Sequence, residues 1–273
     1  MNKWRGNRGQ VILGSSLAFV IGATIMVFLH ETVHAVAAAV QGYHPTQIPF
    51  AVSYHPQPSV MAHVIIALTA PAFSVVSGVI GIVIDYLCEP FRERPFWRMV
   101  WLWTVFASVQ EGLGYLQITA LFRAGDTAQA LELLDAPPMA YIILTIIGWA
   151  TLPLLAWIFA TRIRGLASSE SDKTALAVWP WMIGTSGLLV LTAIYVLLGP
   201  VREPDVIIAV LALPLGIGVY APISMMFATK RFGATSPPSM TWPPIGGLIL
   251  FGALVAVNLA ILPGWFWPQL AGS

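Results

Sequence analysis

The stretch that decides the fold is residues 11–40, VILGSSLAFVIGATIMVFLHETVHAVAAAV. It is almost continuously apolar, and a membrane-spanning helix needs only about 20 such residues. Lys3, Arg5 and Arg8 precede it, as basic residues precede the apolar part of a signal peptide. The stretch is too long for a signal peptide, however, and has no clear small-residue cleavage site. We therefore predict a helix that is retained in the membrane.

The composition of the whole chain agrees with a membrane protein. Of its 273 residues, 58% are hydrophobic and only 9% are charged, whereas soluble domains have about 25% charged residues. Too few polar side chains exist to cover a soluble core, so the chain is expected to be an integral membrane protein in contact with the lipid bilayer. A net charge of +1 indicates no nucleic-acid partner. Cys88 is the single cysteine, which excludes a disulfide within the chain and a cysteine-rich zinc site.

Apolar runs of spanning length recur along the chain. We predict seven spanning segments, at residues 11–40, 62–87, 97–122, 139–163, 177–199, 206–229 and 244–266. The connections are short and rich in proline, glycine and charge, which leaves no room for a soluble domain. The predicted fold is an all-α, polytopic transmembrane helical bundle of about seven helices, or six if the first is re-entrant.

The lysine and arginine residues alternate between the two ends of these segments. Only Arg123 and Arg202 fall on one side. The other eleven fall on the opposite side: Lys3, Arg5, Arg8, Arg92, Arg94, Arg98, Arg162, Arg164, Lys173, Lys230 and Arg231. Because cytoplasmic loops carry the excess of positive charge, the N-terminus is predicted to be cytoplasmic.

The first segment contains the pentapeptide HETVH at residues 30–34. On a helix, positions i and i+4 share one face, so His30 and His34 can present two imidazoles to one metal ion. Glu31 lies next to the first ligand, where it can take a proton from water on the ion as a general base. This spacing is typical of zinc hydrolases. Ionisable residues within a membrane helix are costly and usually functional, although a metal-free polar cluster between helices is the plainer interpretation.

A catalytic zinc site needs a third protein ligand. Asp126 follows the third predicted segment on the side where the motif lies, and it would otherwise cap a helix. Glu111 lies deeper in that segment, at roughly the depth of the motif, and would otherwise be a buried acid bonded to a neighbouring helix. His44, His55 and His63 are weaker candidates, because loop hydrogen bonding explains them as well.

Three segments together resemble a known family. They are HETVHA at 30–35 followed by Gly42, ALTAPA at 67–72, and GYL at 114–116 followed by GDTAQAL at 125–131. In this combination they resemble the site-2 protease family of intramembrane zinc metalloproteases, in its compact bacterial and archaeal branch. The chain departs from the family pattern at Ala70 and Thr127, where glycine is usual, and it lacks the Asn-Pro pair upstream of the aspartate.

The resemblance implies a zinc metalloendopeptidase of a prokaryotic cytoplasmic membrane. It implies Zn²⁺ held by His30, His34 and Asp126, with Glu31 as the catalytic residue and transmembrane proteins as substrates. Residues 1–135 would form the protease core, and residues 136–273 would be accessory helices of the same membrane domain. The uncharged residues 43–60 include an alternating run at 48–54, IPFAVSY, whose edge can pair with an unwound substrate.

Two other functions stay open at this point. A transporter or metal-binding membrane protein would use His30, Glu31, His34 and Glu111 as a polar pathway. The interiors of the last four segments have essentially no acidic or histidine residues to extend such a pathway. A catalytically inactive protease homologue would bind membrane partners without cutting them.

Overall fold

The computed structural model describes residues 8–200, 204–227, 233–234 and 240–268. Five charges used for the predicted orientation lie outside the described residues: Lys3, Arg5, Arg202, Lys230 and Arg231. The structure is 77% helical, which confirms a mainly helical bundle.

Most of the long described helices follow the predicted segments, and short helices and strands lie between them. The helices are α1 (Arg8–Val40), α2 (Val60–Cys88), α3 (Pro95–Phe122), α4 (Asp126–Leu133), α5 (Pro138–Leu166), α6 (Glu170–Leu176), α7 (Val178–Leu198), α8 (Pro204–Gly216), α9 (Tyr220–Ile223) and α10 (Ile245–Ile261). The strands are β1 (His44–Ile48), β2 (Ala51–His55) and β3 (Trp265–Phe266).

Four described helical stretches are long and apolar enough to cross a membrane: Arg8–Val40, Val60–Cys88, Pro138–Leu166 and Glu170–Leu198. The outward faces of these helices carry many large apolar side chains; on α2 and α5, examples are Val76, Val79, Ile80, Ile142, Ile143 and Ile146. A soluble monomer rarely exposes such continuous apolar surface, whereas lipid accommodates it. The structure therefore supports a membrane protein.

α1 is one unbroken helix at the centre of the bundle, and it packs against α2, α3 and α7. Its middle is buried, and glycine allows the closest approach to α3. A Cβ atom at Gly22 would lie 2.7 Å from the backbone nitrogen of Thr104. Similarly, a Cβ atom at Gly112 of α3 would lie 2.5 Å from the carbonyl oxygen of Pro71 in α2. Small residues at these crossings bring α1, α2 and α3 close enough to build one site.

A three-stranded sheet in the order β2-β1-β3 covers one end of the bundle. The sheet is a small addition to a structure that is otherwise the predicted helical bundle. In the hairpin, His44 pairs with His55 and Ile48 with Ala51, and β3 adds its two residues to the other edge of β1. The hairpin forms because the connection between α1 and α2 has prolines, alternating apolar residues and no charge. β3 pairs with β1 although about 220 residues separate the two strands in the chain. Local sequence gives no sign of this pairing.

The predicted segment 206–229 is not a single straight helix in the described residues. α8 contains Pro214 and ends at Gly216, and α9 then leads into a 3₁₀ turn at Ser224–Met226. Proline cannot donate a backbone hydrogen bond to the preceding turn, so the helix ends shortly after it. At the end of the bundle opposite the sheet, ion pairs join three helices. Asp85 of α2 accepts hydrogen bonds from Arg98 of α3 and Arg162 of α5.

Candidate metal centre

The motif residues lie in the last third of α1, close to the hairpin. His30, Glu31 and His34 are buried, with exposed fractions of 1%, 8% and 5%. Side chains four residues apart lie above one another on a helix, and the two imidazole rings meet edge to face with centroids 4.8 Å apart. Local helical geometry alone thus brings the two histidines together.

Asp126 completes a group of three. Its Oδ2 atom lies 3.0 Å from Nε2 of His30 and 3.1 Å from Nε2 of His34, and the two Nε2 atoms are 3.2 Å apart. We searched the described part of the chain for histidine, cysteine, aspartate and glutamate side chains that could hold a metal ion together. The group found is His30, His34 and Asp126. The predicted ligand set therefore meets at one point.

These distances fit a zinc ion. Zinc binds nitrogen and oxygen ligands at about 2.0–2.2 Å with tetrahedral geometry, which places neighbouring ligand atoms roughly 3.3 Å apart. The hydrogen-bonding roles fit as well. Nδ1 of His34 lies 2.9 Å from the carbonyl oxygen of Ile66, which can only accept, so Nδ1 carries a proton; when the ring is neutral, Nε2 presents its lone pair. Nε2 of His34 then faces a carboxylate oxygen and a second imidazole, and a proton shared with Asp126 or a metal ion between the three atoms can satisfy this arrangement.

Two residues of α2 orient the histidines and were not predicted. The hydroxyl of Ser74 lies 3.1 Å from Nδ1 of His30, and the carbonyl of Ile66 accepts from His34. Such outer partners fix the tautomer and ring orientation of metal-binding histidines. The available indication in the sequence was Pro71, which lies between them inside α2. Proline leaves a carbonyl of the preceding turn without its usual helical donor, so this part of α2 favours contacts with another helix.

Asp126 is positioned by the residue before it. Gly125 has φ = +84°, a conformation that side chains disfavour, and a Cβ atom there would overlap the ring of Tyr115. Only glycine allows the chain to turn at the end of α3 and begin α4 with Asp126 directed at α1. Burial raises the pKa of Asp126, but charge and hydrogen bonding from His34 and His30 outweigh it and hold that pKa below its usual range. The carboxylate is thus kept ionised, as a metal ligand must be.

Glu111, the rival third ligand, lies nearby but outside the converging group. It is buried, and the hydroxyl of Tyr115 donates to its Oε1 atom over 3.4 Å. The Tyr115 ring stacks on His30, with centroids 5.4 Å apart and an interplanar angle of 23°. Glu111 therefore contacts Tyr115, whose ring stacks on His30, and makes no hydrogen bond to either histidine among the described contacts.

The three other histidine candidates lie on the hairpin and at the start of α2. His44 and His55 face each other across the strands and are exposed. His63 contacts the ring of Tyr54 edge to face, with centroids 5.7 Å apart. Among the described residues, none of these three histidines belongs to the metal-binding group. Burial raises the pKa of Tyr54, and the negative charges of Glu31 and Asp126 raise it further.

Comparisons of the chain with protein-family models, curated proteins and solved structures found no match.

Proposed function

We propose that this protein is a zinc-dependent intramembrane endopeptidase. The observation that carries the proposal is the convergence of Nε2 of His30, Nε2 of His34 and Oδ2 of Asp126 within 3.2 Å of one another. Glu31 follows directly on the first of these residues. His30, Glu31 and His34 are buried in the helical bundle, and the Asp126 side chain is 20% exposed. Three protein ligands also leave further coordination positions open, as catalytic rather than structural zinc sites do.

In this proposal each residue has a distinct task. When bound, zinc supplies a Lewis acid that polarises a peptide carbonyl and acidifies a water molecule. Glu31 accepts a proton from that water and returns a proton to the leaving amine. Ser74 and the carbonyl of Ile66 hold the two imidazole rings in their ligand orientation. The bundle around the site limits access of bulk water, which strengthens every charge interaction within it.

The proposed substrate is a membrane-spanning segment of another protein. Backbone carbonyls of a helix are engaged in hydrogen bonds, so the segment must unwind before it can be cut. The hairpin offers a partner for the unwound chain, because β1 is flanked by β2 and β3 while β2 pairs only with β1 among the described strands. The hairpin follows α1 directly, and Gln47 of β1 donates to the hydroxyl of Thr32, the residue after Glu31, which supports a role for the hairpin next to the motif.

We also propose seven spans, a cytoplasmic N-terminus and residence in a prokaryotic cytoplasmic membrane. The packing supports an arrangement with the basic connections at one end of the bundle and the metal group at the other. Arg8 donates to the carbonyl of Ser171 over 3.0 Å, and Gly233 donates to the carbonyl of Arg164 over 3.1 Å. These contacts gather basic connections at the end opposite the metal group. An excess of arginine and lysine at that end favours the cytoplasm.

Purified protein in lipid nanodiscs tests the activity. Wild type is expected to contain about one zinc per chain and to cut members of a pool of single-span peptides. Glu31→Gln should retain zinc and lose cleavage, because the amide cannot accept the proton. His34→Ala should lose both. Zinc binding without cleavage by wild type would instead favour a metal-binding protein or an inactive homologue, and absence of zinc from wild type would refute the proposal.

A further inference from the structure

A small cavity is lined by one face of α1 and by helices from the second half of the chain. It has a volume of about 50 Å³ and lies between α1, α7, α8 and α10. Ala23 and Val27 of α1 form one wall, Phe50 of the β1–β2 turn lies over it, and Tyr195 and Asn258 contribute polar groups from α7 and α10. The cavity is therefore built mainly by the helices beyond residue 135, to which the proposed chemistry assigns no task.

The cavity lies close to Glu31. Val27 precedes Glu31 by four residues, so the two share one helical face and are one turn, about 6 Å, apart along the axis. The turn over the cavity is tied to the same part of α1, because Gln47 of β1 donates to the Thr32 hydroxyl over 3.2 Å. The cavity, the hairpin turn and Glu31 therefore lie in the same part of the protein.

Two buried polar atoms in the cavity wall lack well-formed hydrogen bonds. The Tyr195 hydroxyl and the Asn258 side chain lie close to each other, but neither the hydroxyl nor the amide oxygen makes a hydrogen bond of normal geometry among the described residues. Only 5% of Tyr195 and 4% of Asn258 is exposed. The rest of the lining is predominantly apolar. Buried polar groups are normally paired, and leaving them unpaired is unfavourable. The hydroxyl can donate or accept and the amide oxygen can accept, so a ligand hydroxyl can pair with both.

We propose that this cavity is a substrate subsite that receives a serine or threonine side chain close to the scissile bond. This inference rests on the proposed peptidase activity. The volume is several times the roughly 10–15 Å³ that one water needs, and it is too small for a lipid chain or a bulky aromatic ring. The apolar wall formed by Ala23 and Val27 suits the methyl group of threonine, and Tyr195 and Asn258 suit its hydroxyl.

The test uses single-span peptides with a randomised central window, incubated with wild-type protein in nanodiscs. Cleavage sites are mapped by mass spectrometry. We expect serine or threonine to be enriched at one fixed position relative to the cut. In a matched pair of peptides with threonine or valine there, which have nearly the same shape, kcat/KM should favour threonine by about tenfold or more, because valine leaves the two polar groups unpaired.

The variant Tyr195→Phe/Asn258→Leu should abolish this preference and still cut the valine peptide. Tyr220→Phe is the matched control, since Tyr220 is also buried with an unpartnered hydroxyl but lies in the aromatic core away from the cavity. Zinc content reports folding of each variant. Cleavage without a serine or threonine preference, or a preference that survives the double substitution, would overturn the subsite while leaving the peptidase intact. Failure of wild type to cut any peptide would overturn the peptidase and the subsite with it.

Discussion

Nε2 of His34 lies 3.1 Å from Oδ2 of Asp126, although 92 residues separate them in the chain. The whole hairpin, α2 and α3 lie between the two residues in sequence. Their contact depends on the close packing of α1, α2 and α3 at glycine crossings and on the turn at Gly125. Substitutions at these positions are therefore expected to change zinc binding without unfolding the bundle.

The first prediction concerns the third ligand. Asp126→Asn should lower the zinc content of purified protein to well below half of the wild-type value, because a neutral amide oxygen is a poor zinc ligand. Glu111→Gln is the matched control and should retain wild-type zinc, since Glu111 contacts Tyr115 rather than the histidines. Zinc per chain is measured by mass spectrometry of the dissolved metal. The opposite pattern, with zinc lost only in Glu111→Gln, would identify Glu111 as the ligand.

The second prediction concerns Ser74. Ser74→Ala removes the partner of His30 Nδ1, and loss of such outer contacts weakens metal binding by about 10–100-fold. Ser77→Ala is the control, because its hydroxyl bonds Ser74 O and the Ser108 hydroxyl and does not touch His30. Competition with a zinc chelator gives the two affinities. Equal affinities in the two variants would show that Ser74 does not orient the ligand.

The third prediction concerns Gly125. Gly125→Ala should displace Asp126 and reduce zinc binding, because the new methyl group meets the Tyr115 ring in a backbone conformation that alanine disfavours. Gly165→Ala provides the comparison, since a Cβ atom there meets no other atom within 4 Å. Zinc titration of both variants measures the difference. Wild-type affinity in Gly125→Ala would mean that the turn adapts without moving the carboxylate.

The fourth prediction concerns the charge cluster at the other end of the bundle. Asp85 is fully buried and receives hydrogen bonds from Arg98, Arg162 and the Trp101 indole. Asp85→Ala leaves buried arginine charge uncompensated, which costs about 3–5 kcal/mol in comparable pairs. We expect a large fall in the thermal unfolding midpoint.

Glu89→Gln is the control for this cluster, because its side chain is 42% exposed. It should change the unfolding midpoint little, since exposed ion pairs contribute about 0–1 kcal/mol. Thermal unfolding in detergent is followed by tryptophan fluorescence. A midpoint for Asp85→Ala as high as that for Glu89→Gln would show that the cluster does not stabilise the bundle.

Much of the fold was predictable because a helix that crosses the lipid bilayer needs about 20 consecutive, mostly apolar residues. Each of the seven predicted segments contains a described helix, and α1, α2, α3, α5 and α7 begin and end within a few residues of the predicted limits. Where prediction was less accurate, the cause was local. Pro214 lies in α8, which ends at Gly216, so the sixth segment forms shorter helical pieces. The alternating run at 48–54 was expected to pair with a substrate, and in the structure it forms a turn and a strand that pairs with β1.

The pairing of His30 with His34, and the place of Glu31 beside them, follow from residue order alone, because a helix brings every fourth residue to the same face. The same reasoning found Asp126 and Glu111 as candidates but had no means to choose between them. Packing places Asp126 against both imidazoles and leaves Glu111 in contact with Tyr115. It also supplies Ser74, Ile66 and the cavity beside Val27. Those contacts join residues far apart in sequence, and they depend on how closely the helices approach and which faces they turn to one another.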